Sequence, residues 1–270
     1  MWYPDGMSAV GEGHDSEFGE VDLARWNEEF ETSTPAQILR RVTDRFGDAT
    51  VLTMSFQHEG VVIAHLLREV APATPILFID TGYHFPETLA YRDELVARFQ
   101  LPIRNLTSVM PREEFIARYG DRLYESDPDL CCRINKVEPM QLALHGVKGW
   151  INGRRRDQAS TRTKMPIAER LKGGVVKVNP LANWNSKDTY DYLTAHDIPL
   201  HPLFEQGYAS IGCAPCTRPI LAGEDERAGR WSGRGKTECG LHTFLGTEED
   251  EPAAPAPGEA RSAADRPREG

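Results

Sequence analysis

Residues 49–80 read ATVLTMSFQHEGVVIAHLLREVAPATPILFID. The stretch opens on a short apolar run, Ala49 to Ser55, that reads as a strand. From Glu59 to Val70 the apolar residues recur at helical spacing, and Pro75 to Asp80 (PILFID) is a second buried strand. The alternation continues downstream. Pro86 to Gln100 starts with proline and an acidic residue, as a helix does. Leu101 to Leu106 is a strand and Arg112 to Tyr119 a helix; a further helix runs from about Cys132 to Leu144. Val147 to Asn152 and Val175 to Val178 are short strands, and Ser186 to His196 is a helix with Ser186 as its N-cap. Strands alternating with helices predict an α/β fold, a parallel twisted sheet with helices on both faces. Ligands of such sheets bind outside the carboxyl ends of the strands. Ser55 and Asp80 stand at two such ends, so both turns are candidate site loops.

Around this core the ends differ in composition. Residues 1–24 are acidic and predict a poorly ordered N-terminus, although a helix could begin near Asp22. Residues 25–245 form the predicted domain. Residues 246–270 are rich in Pro, Ala and charge with almost no large apolar side chain, which predicts a disordered tail. The chain has 270 residues and a formal net charge of −10, which argues against nucleic-acid binding through bulk positive charge. A local arginine cluster can still hold a small anion. No apolar run spans a bilayer and no secretory signal opens the chain, so a cytoplasmic protein with no membrane association is expected.

The five cysteines fall as the vicinal pair Cys131-Cys132, the C-x-x-C of Cys213 and Cys216, and the single Cys239. Adjacent Cα atoms lie about 3.8 Å apart, closer than the roughly 4.4 Å a relaxed disulfide needs. Two adjacent thiolates suit two corners of one [4Fe–4S] cluster, with the C-x-x-C on the other two. A tetrahedral zinc site and unligated core cysteines are the other readings. Cys239 lies outside the set of four, on the polar, glycine-flanked segment Lys236-Thr237-Glu238-Cys239-Gly240-Leu241-His242. A lysine and a histidine lie within three residues of it, and positive charge favours the thiolate nucleophile. An accidental exposed cysteine is the competing reading.

Basic residues gather in Gly153-Arg154-Arg155-Arg156-Asp157-Gln158 with Arg162, and again at Arg227 and Arg230, which would share one face if helical. Guanidinium groups fork onto phosphate or sulfate oxygens, although such runs are commonly solvated turns. Asp80-Thr81-Gly82 follows a buried strand, and the Ser55 to Gly60 turn could bind phosphate at a helix N-terminus without being a P-loop. His58, His65, His84 and His201 show no metal-ligand spacing.

Taken together, Ile79-Asp80-Thr81-Gly82, Cys131-Cys132 through Lys136-Val137-Glu138-Pro139, Gly153-x-Arg155-Arg156-Asp157-Gln158, Gly212-Cys213-x-Pro215-Cys216, Glu226-Arg227-x-Gly229-Arg230 and Glu238-Cys239-Gly240-Leu241-His242 resemble the sulfonucleotide reductases of assimilatory sulfate reduction. The resemblance runs from about residue 25 to 245 and implies an adenine-nucleotide α-hydrolase-like fold with a mobile C-terminal segment carrying the catalytic cysteine. It implies an oxidoreductase that releases sulfite and AMP from adenosine 5′-phosphosulfate. Its partner would be thioredoxin or a glutaredoxin-like reductant, and a homo-oligomer is compatible with it. Members with all four paired cysteines carry a [4Fe–4S] cluster and favour the unphosphorylated nucleotide; most enzymes for the 3′-phosphorylated form lack them. By resemblance Cys239 is the nucleophile; Lys136, Arg162, Arg227 and Arg230 contact the phosphosulfate, and His242 belongs to the same C-terminal segment. Asp80, Thr81, Gly82 and Gly153 match nucleotide-contacting loops, as does Ser55. Gln57 stands where relatives usually have glycine.

Two other enzyme readings and one non-enzyme reading compete. Reduction of 3′-phosphoadenosine 5′-phosphosulfate is the same chemistry on a neighbouring substrate. A tRNA-thiolating ATP pyrophosphatase would show an SGGxDS-type loop and a basic RNA face, and the chain has neither. An iron–sulfur sensor leaves Cys239 and the arginines without a task.

Overall fold

Two helices precede the first strand in the computed structural model: α1 (Glu20–Phe30) and α2 (Pro35–Phe46). The structure describes residues 18–234, 236, 238–241 and 245–246. His242, residues 1–17 of the acidic N-terminus and residues 247–270 of the tail lie outside the described residues. Helix α1 begins five residues before the boundary drawn at residue 25, because Trp26 and Phe30 are buried along it and Phe18 packs edge-on to Trp26 at 4.6 Å. Thr34 and Gln37 cap α2 reciprocally, with Pro35 at its first position.

β1 (Thr50–Thr53), α3 (His58–Val70), β2 (Ile76–Ile79), α4 (Pro86–Phe99) and β3 (Ile103–Leu106) follow in strict alternation. Then come α5 (Arg112–Tyr119), α6 (Leu123–Ser126), α7 (Pro128–Cys132), a π turn (Arg133–Val137) and α8 (Glu138–Ala143). β4 (Gly149–Ile151), β5 (Ala168–Arg170), β6 (Val176–Val178) and α9 (Ser186–Ala195) complete the layers. The strand order is β3-β2-β1-β4-β6-β5, parallel except for the β5–β6 pair. The chain leaves β1 towards β3, then returns to the other side of β1 for β4. The gap between β1 and β4 is therefore the topological switch point, where such sheets open a crevice.

Period-two alternation sorts the strand side chains onto two faces. Leu52, Ile76, Phe78 and Ile151 join Leu39, Val62 and Leu193 in one core. Val51, Leu77 and Trp150 face the other way, onto Met140 and Leu144. No helix among the described residues is long and apolar enough to cross a membrane.

Three local features differ from the sequence expectation. β5 is short and polar (Ala-Glu-Arg), so it carries no apolar run. It is held by register instead: Glu169 stands opposite Lys177, 2.6 Å away, and Lys177 lies under the Trp150 ring. The N-cap of α9 is Asn185, not Ser186, since the Asn185 side chain accepts from Asp188 N–H at 3.0 Å. The helix expected over 132–144 starts earlier, at Pro128, and is broken by the π turn. Pro139 cannot donate to the carbonyl of Asn135 and would collide with it in an α-helix, so the wider turn carries the chain past it.

Candidate active site

At the carboxyl ends of β1, β2 and β4 a cleft opens over the switch point. Its floor at β1 is the turn Ser55-Phe56-Gln57. Phe56 takes a left-handed backbone (φ 58°) and is fully buried, edge-on to Phe78 at 5.5 Å; packing of the ring sustains a conformation that L residues avoid. Gln57 itself is extended (φ −78°) as the residue before α3, so glycine is not required there. Its amide ties two loops: Nε2 donates to Ser55 Oγ (3.2 Å) and Oε1 accepts from Ile211 N–H (3.0 Å), just ahead of Cys213. Gly153 follows β4, and a Cβ there would lie 2.8 Å from Glu59 Cβ. Ser55, Thr81 and Gly153 line the cleft; Asp80 and Gly82 do not. Asp80 instead accepts from Gly82 N–H (3.0 Å) and faces Arg92 at 3.9 Å, which shapes the turn that presents Thr81.

The arginines of the run 154–156 have three different fates. Arg155 is buried and serves as an ion-pair hub, bonded to Glu59, to Asp157 (2.9 Å) and to Glu226 (3.0 Å). Arg156 points outward to Glu31 (2.7 Å) and donates Nε to Met165 O (2.8 Å). Arg154 alone of the three lines the cleft. Arg162, Arg227, Arg230 and Lys136 line it as well, so the four basic residues named from the sequence converge. Arg227 and Arg230 sit on a turn rather than a helix. That turn is strapped to the C-x-x-C loop by Arg218 N–H to Gly229 O (3.0 Å) and Trp231 N–H to Cys216 O (3.0 Å). Burial pushes the Arg227 guanidinium down to about 10, against the pull of Glu238.

Several buried polar atoms of this cleft have no hydrogen-bond partner among the described residues: Nε of Arg154, Arg162 and Arg230, and both amide atoms of Asn152. Unpaired buried donors of this kind are uncommon in native proteins, and here they mark a place for an anionic, polar ligand. Asn152 carries no signal in the sequence, and Arg154 is one of three arginines in its run. The basic run was visible, but consecutive residues on a loop do not reveal which one turns inward.

Cys131, Cys132, Cys213 and Cys216 line a second, smaller cavity beside the cleft, with Tyr83, Tyr124 and Asn135. All are free thiols, and all but the half-buried Cys216 are buried. Asp127 caps α7 by accepting from Leu130 N–H (2.9 Å), which presents the vicinal pair at the end of that short helix. Asn135, on the π turn, donates to Cys131 O (3.0 Å). Burial pushes Cys131 up to about 11 and raises Cys132 and Cys216. Cys213 goes the other way: burial opposes its charge, but Lys136, the Thr81 hydroxyl and Arg230 outweigh it. Among the described residues no three His, Cys, Asp or Glu side chains gather as the ligands of one metal ion.

Lys136, Thr81 and Cys213 line both spaces. Thr81 Oγ1 and Cys213 Sγ share a hydrogen bond at 3.3 Å. Burial works against the charge of Lys136, and Cys213, Cys239 and Cys132 overcome it, so its ammonium is held protonated. Cys239 is half-buried and lines the cleft, not the cysteine cavity. The lysine near it in sequence plays a different part: Lys236 pairs with Asp129 and reaches Pro128 O (3.4 Å), at the start of α7. The cations that share the cleft with Cys239 and feel its charge include Lys136, from the π turn, and Arg227.

Residues 49–219 match the family described as phosphoadenosine phosphosulfate reductase domain. An adenosine 5′-phosphosulfate reductase of Streptomyces coelicolor is 44% identical over 237 residues, 87% of this chain and 100% of that one. A phosphoadenosine 5′-phosphosulfate reductase of Gloeobacter violaceus is 43% identical, over 79% of this chain and 90% of its own. Among solved structures, the phosphoadenylyl-sulfate reductase of Candida auris in a phosphate complex superposes with a TM-score of 0.67 at 31% identity, covering 74% of this chain and 98% of that one. The FMN adenylyltransferase of Candida glabrata, at 14% identity and a TM-score of 0.50 over 79% of this chain and 69% of that one, shares the fold alone. By the family match, by these relatives and by the switch-point cleft with its converging basic residues, the chain belongs to the phosphoadenosine phosphosulfate reductase domain family.

Proposed function

We propose that this protein is a cytoplasmic reductase of adenosine 5′-phosphosulfate, releasing sulfite and AMP with a thioredoxin-like dithiol as electron donor. The observation that carries this reading is the separation of the cysteines. Four line one small cavity, while Cys239 shares the neighbouring cleft with Lys136, Arg162, Arg227 and Arg230. Five free thiols suit a reducing compartment.

In the proposed reaction the Cys239 thiolate attacks the sulfur of the sulfuryl group. The bond from that sulfur to the bridging phosphate oxygen breaks, AMP leaves with the electron pair, and Cys239 carries S–SO₃⁻. Lys136 and the arginines oppose the charge that gathers on the departing phosphate. One thiolate of the dithiol then attacks the Cys239 sulfur and expels sulfite, and the second thiol resolves the mixed disulfide, returning Cys239. Both electrons come from the dithiol.

Cys131, Cys132, Cys213 and Cys216 fit a [4Fe–4S] cluster better than a single ion: four thiols surround one space, two of them adjacent, without converging on a point. Such a cluster would supply a compact charged group beside Lys136, and no electron need pass through it. Ser55 Oγ accepts from Gln57, which leaves its own hydrogen for a nucleotide oxygen. Thr81 and Gly153 are proposed to contact the nucleotide, with Asp80 and Gly82 shaping the turn between them.

The second reading is the 3′-phosphorylated nucleotide, favoured by a relative of that name at comparable identity. Sulfite release is to be measured from both nucleotides with reduced thioredoxin, wild type beside Cys239→Ser. Release from the unphosphorylated nucleotide by wild type alone is the expected result. Release by the serine variant at the same rate would sink the nucleophile, and turnover of only the 3′-phosphorylated form would move the substrate.

A further inference from the structure

The residue next to the nucleophile is already seated among the arginines. Glu238 Oε1 accepts from Arg162 Nη2 at 2.5 Å, and Oε2 accepts from Arg227 Nη2 at 3.0 Å. One carboxylate thus spans two guanidinium groups that belong to different loops. Arg162 is only 5% exposed and Arg227 20%, so both charges are largely withdrawn from water and need an anion close by. Arg162 Nη1 donates to the neutral amide oxygen of Gln158, at 2.6 Å. A carboxylate offers two oxygens sharing one negative charge, the same pattern two oxygens of a phosphate or sulfate present to a pair of arginines. Glu238 also lines the cleft, one residue before Cys239.

We propose that Glu238 is a positioning residue that acts through Arg162 and Arg227: it is the cleft's resident anion, and the entering substrate must displace it. The inference rests on the reading of those two arginines as the substrate's anion site. Without nucleotide, the carboxylate neutralises the arginines and, through the peptide bond to Cys239, parks the nucleophile at the mouth of the cleft. When the phosphosulfate enters, two like charges compete for the same donors. Glu238 gives way, and the segment carrying Cys239 is released to approach the sulfuryl sulfur. No bond is made or broken in this exchange; one anion replaces another on two cations.

Glu238→Gln keeps the shape and removes the charge, and Glu238→Asp keeps the charge. Cys239 labelling by iodoacetamide, located by mass spectrometry on the iron-loaded protein, reads the parked state without any nucleotide. The glutamine variant should label roughly three- to tenfold faster than wild type, as loss of a charged hydrogen-bond pair predicts, and the aspartate variant should stay near wild type. Added sulfate, against chloride at matched ionic strength, should speed labelling of wild type and leave Glu238→Gln unchanged. In a Cys239→Ser background, adenosine 5′-phosphosulfate should bind more tightly once Glu238→Gln is added, a gain that mere structural damage does not give. Equal labelling rates, or a sulfate response that survives in Glu238→Gln, would overturn the proposal, as would weaker nucleotide binding by that variant. If the labelling pattern holds while the nucleotide binds neither protein, the resident anion stands and the substrate assignment falls.

Discussion

The cleft and the cysteine cavity share a wall of Lys136, Thr81 and Cys213, yet they are built on opposite principles. The cleft is lined by guanidinium and amide groups, several of which keep a buried polar atom without a hydrogen-bond partner among the described residues, and it is open to a polar ligand. The cavity is smaller, backed by Phe115, Leu123 and Ile134, and burial there drives most of the thiols towards their neutral form. Free thiols in such a place are at a disadvantage, and thiolates become favourable only with a cationic partner such as iron. On the proposed reading the same side chain is a ligand on one side of the wall and a nucleophile on the other. What separates the roles is the surroundings, not the residue.

That contrast can be broken in graded ways. The largest effect belongs to the cysteines themselves. Cys239→Ser should lower sulfite release by on the order of a thousandfold or more with iron content unchanged, whereas Cys132→Ser should lose iron. Iron analysis beside turnover separates them; loss of iron from the Cys239 variant would merge the two sites.

Next come the scaffold arginines. Arg155→Met leaves Glu59 and Glu226 without their buried partner and should cost about 3–5 kcal/mol of stability in urea unfolding. Arg154→Met, one residue away, should leave stability near wild type and weaken nucleotide binding. A stable Arg155 variant would show that the hub is dispensable.

Lys136 tests the wall. Lys136→Met should reduce turnover by roughly a hundred- to a thousandfold and also perturb the absorption of the proposed cluster, because Lys136 lines both spaces. A change in only one of the two readouts would assign Lys136 to a single side. The smallest effect is steric. A Cβ at Gly212 would lie 2.1 Å from Arg230 Nη2, so Gly212→Ala pushes that guanidinium aside. KM should rise roughly tenfold with little change in thermal stability; an unchanged KM would remove Arg230 from the substrate.

Much of this was legible in the chain. Apolar runs at 50–53, 76–79 and 149–151 declared the parallel strands because both of their faces are buried. The pairing of Cys131-Cys132 with Cys213 and Cys216, and the separateness of Cys239, were visible from spacing. Other features depend on contacts between residues distant in sequence. Glu169 opposite Lys177 makes a strand of three residues with no apolar signal. Lys236 looked like a neighbour of Cys239 but answers Asp129, 107 positions away. Asp80 and Gly82, named beside Thr81 from the sequence, shape the turn that presents Thr81 to the cleft. Pro139 inside a helical pattern was a readable warning of the π turn, since it removes a donor where one is needed.

The π turn at Arg133–Val137 has a consequence in terms of helical phase. Each residue of an α-helix advances the direction of its side chain by about 100°. One residue beyond regular winding therefore lets the two ends of a continuous helical run face directions that regular winding would not permit together. Cys131 and Cys132 are aimed in one phase at the cavity, and Met140 in another at the sheet. Deleting a single residue here would leave every side chain of both ends in place in the sequence, yet rotate one set against the other. Intolerance to a one-residue deletion along 133–137 is thus a matter of geometry, separate from the chemistry of any one side chain in the turn.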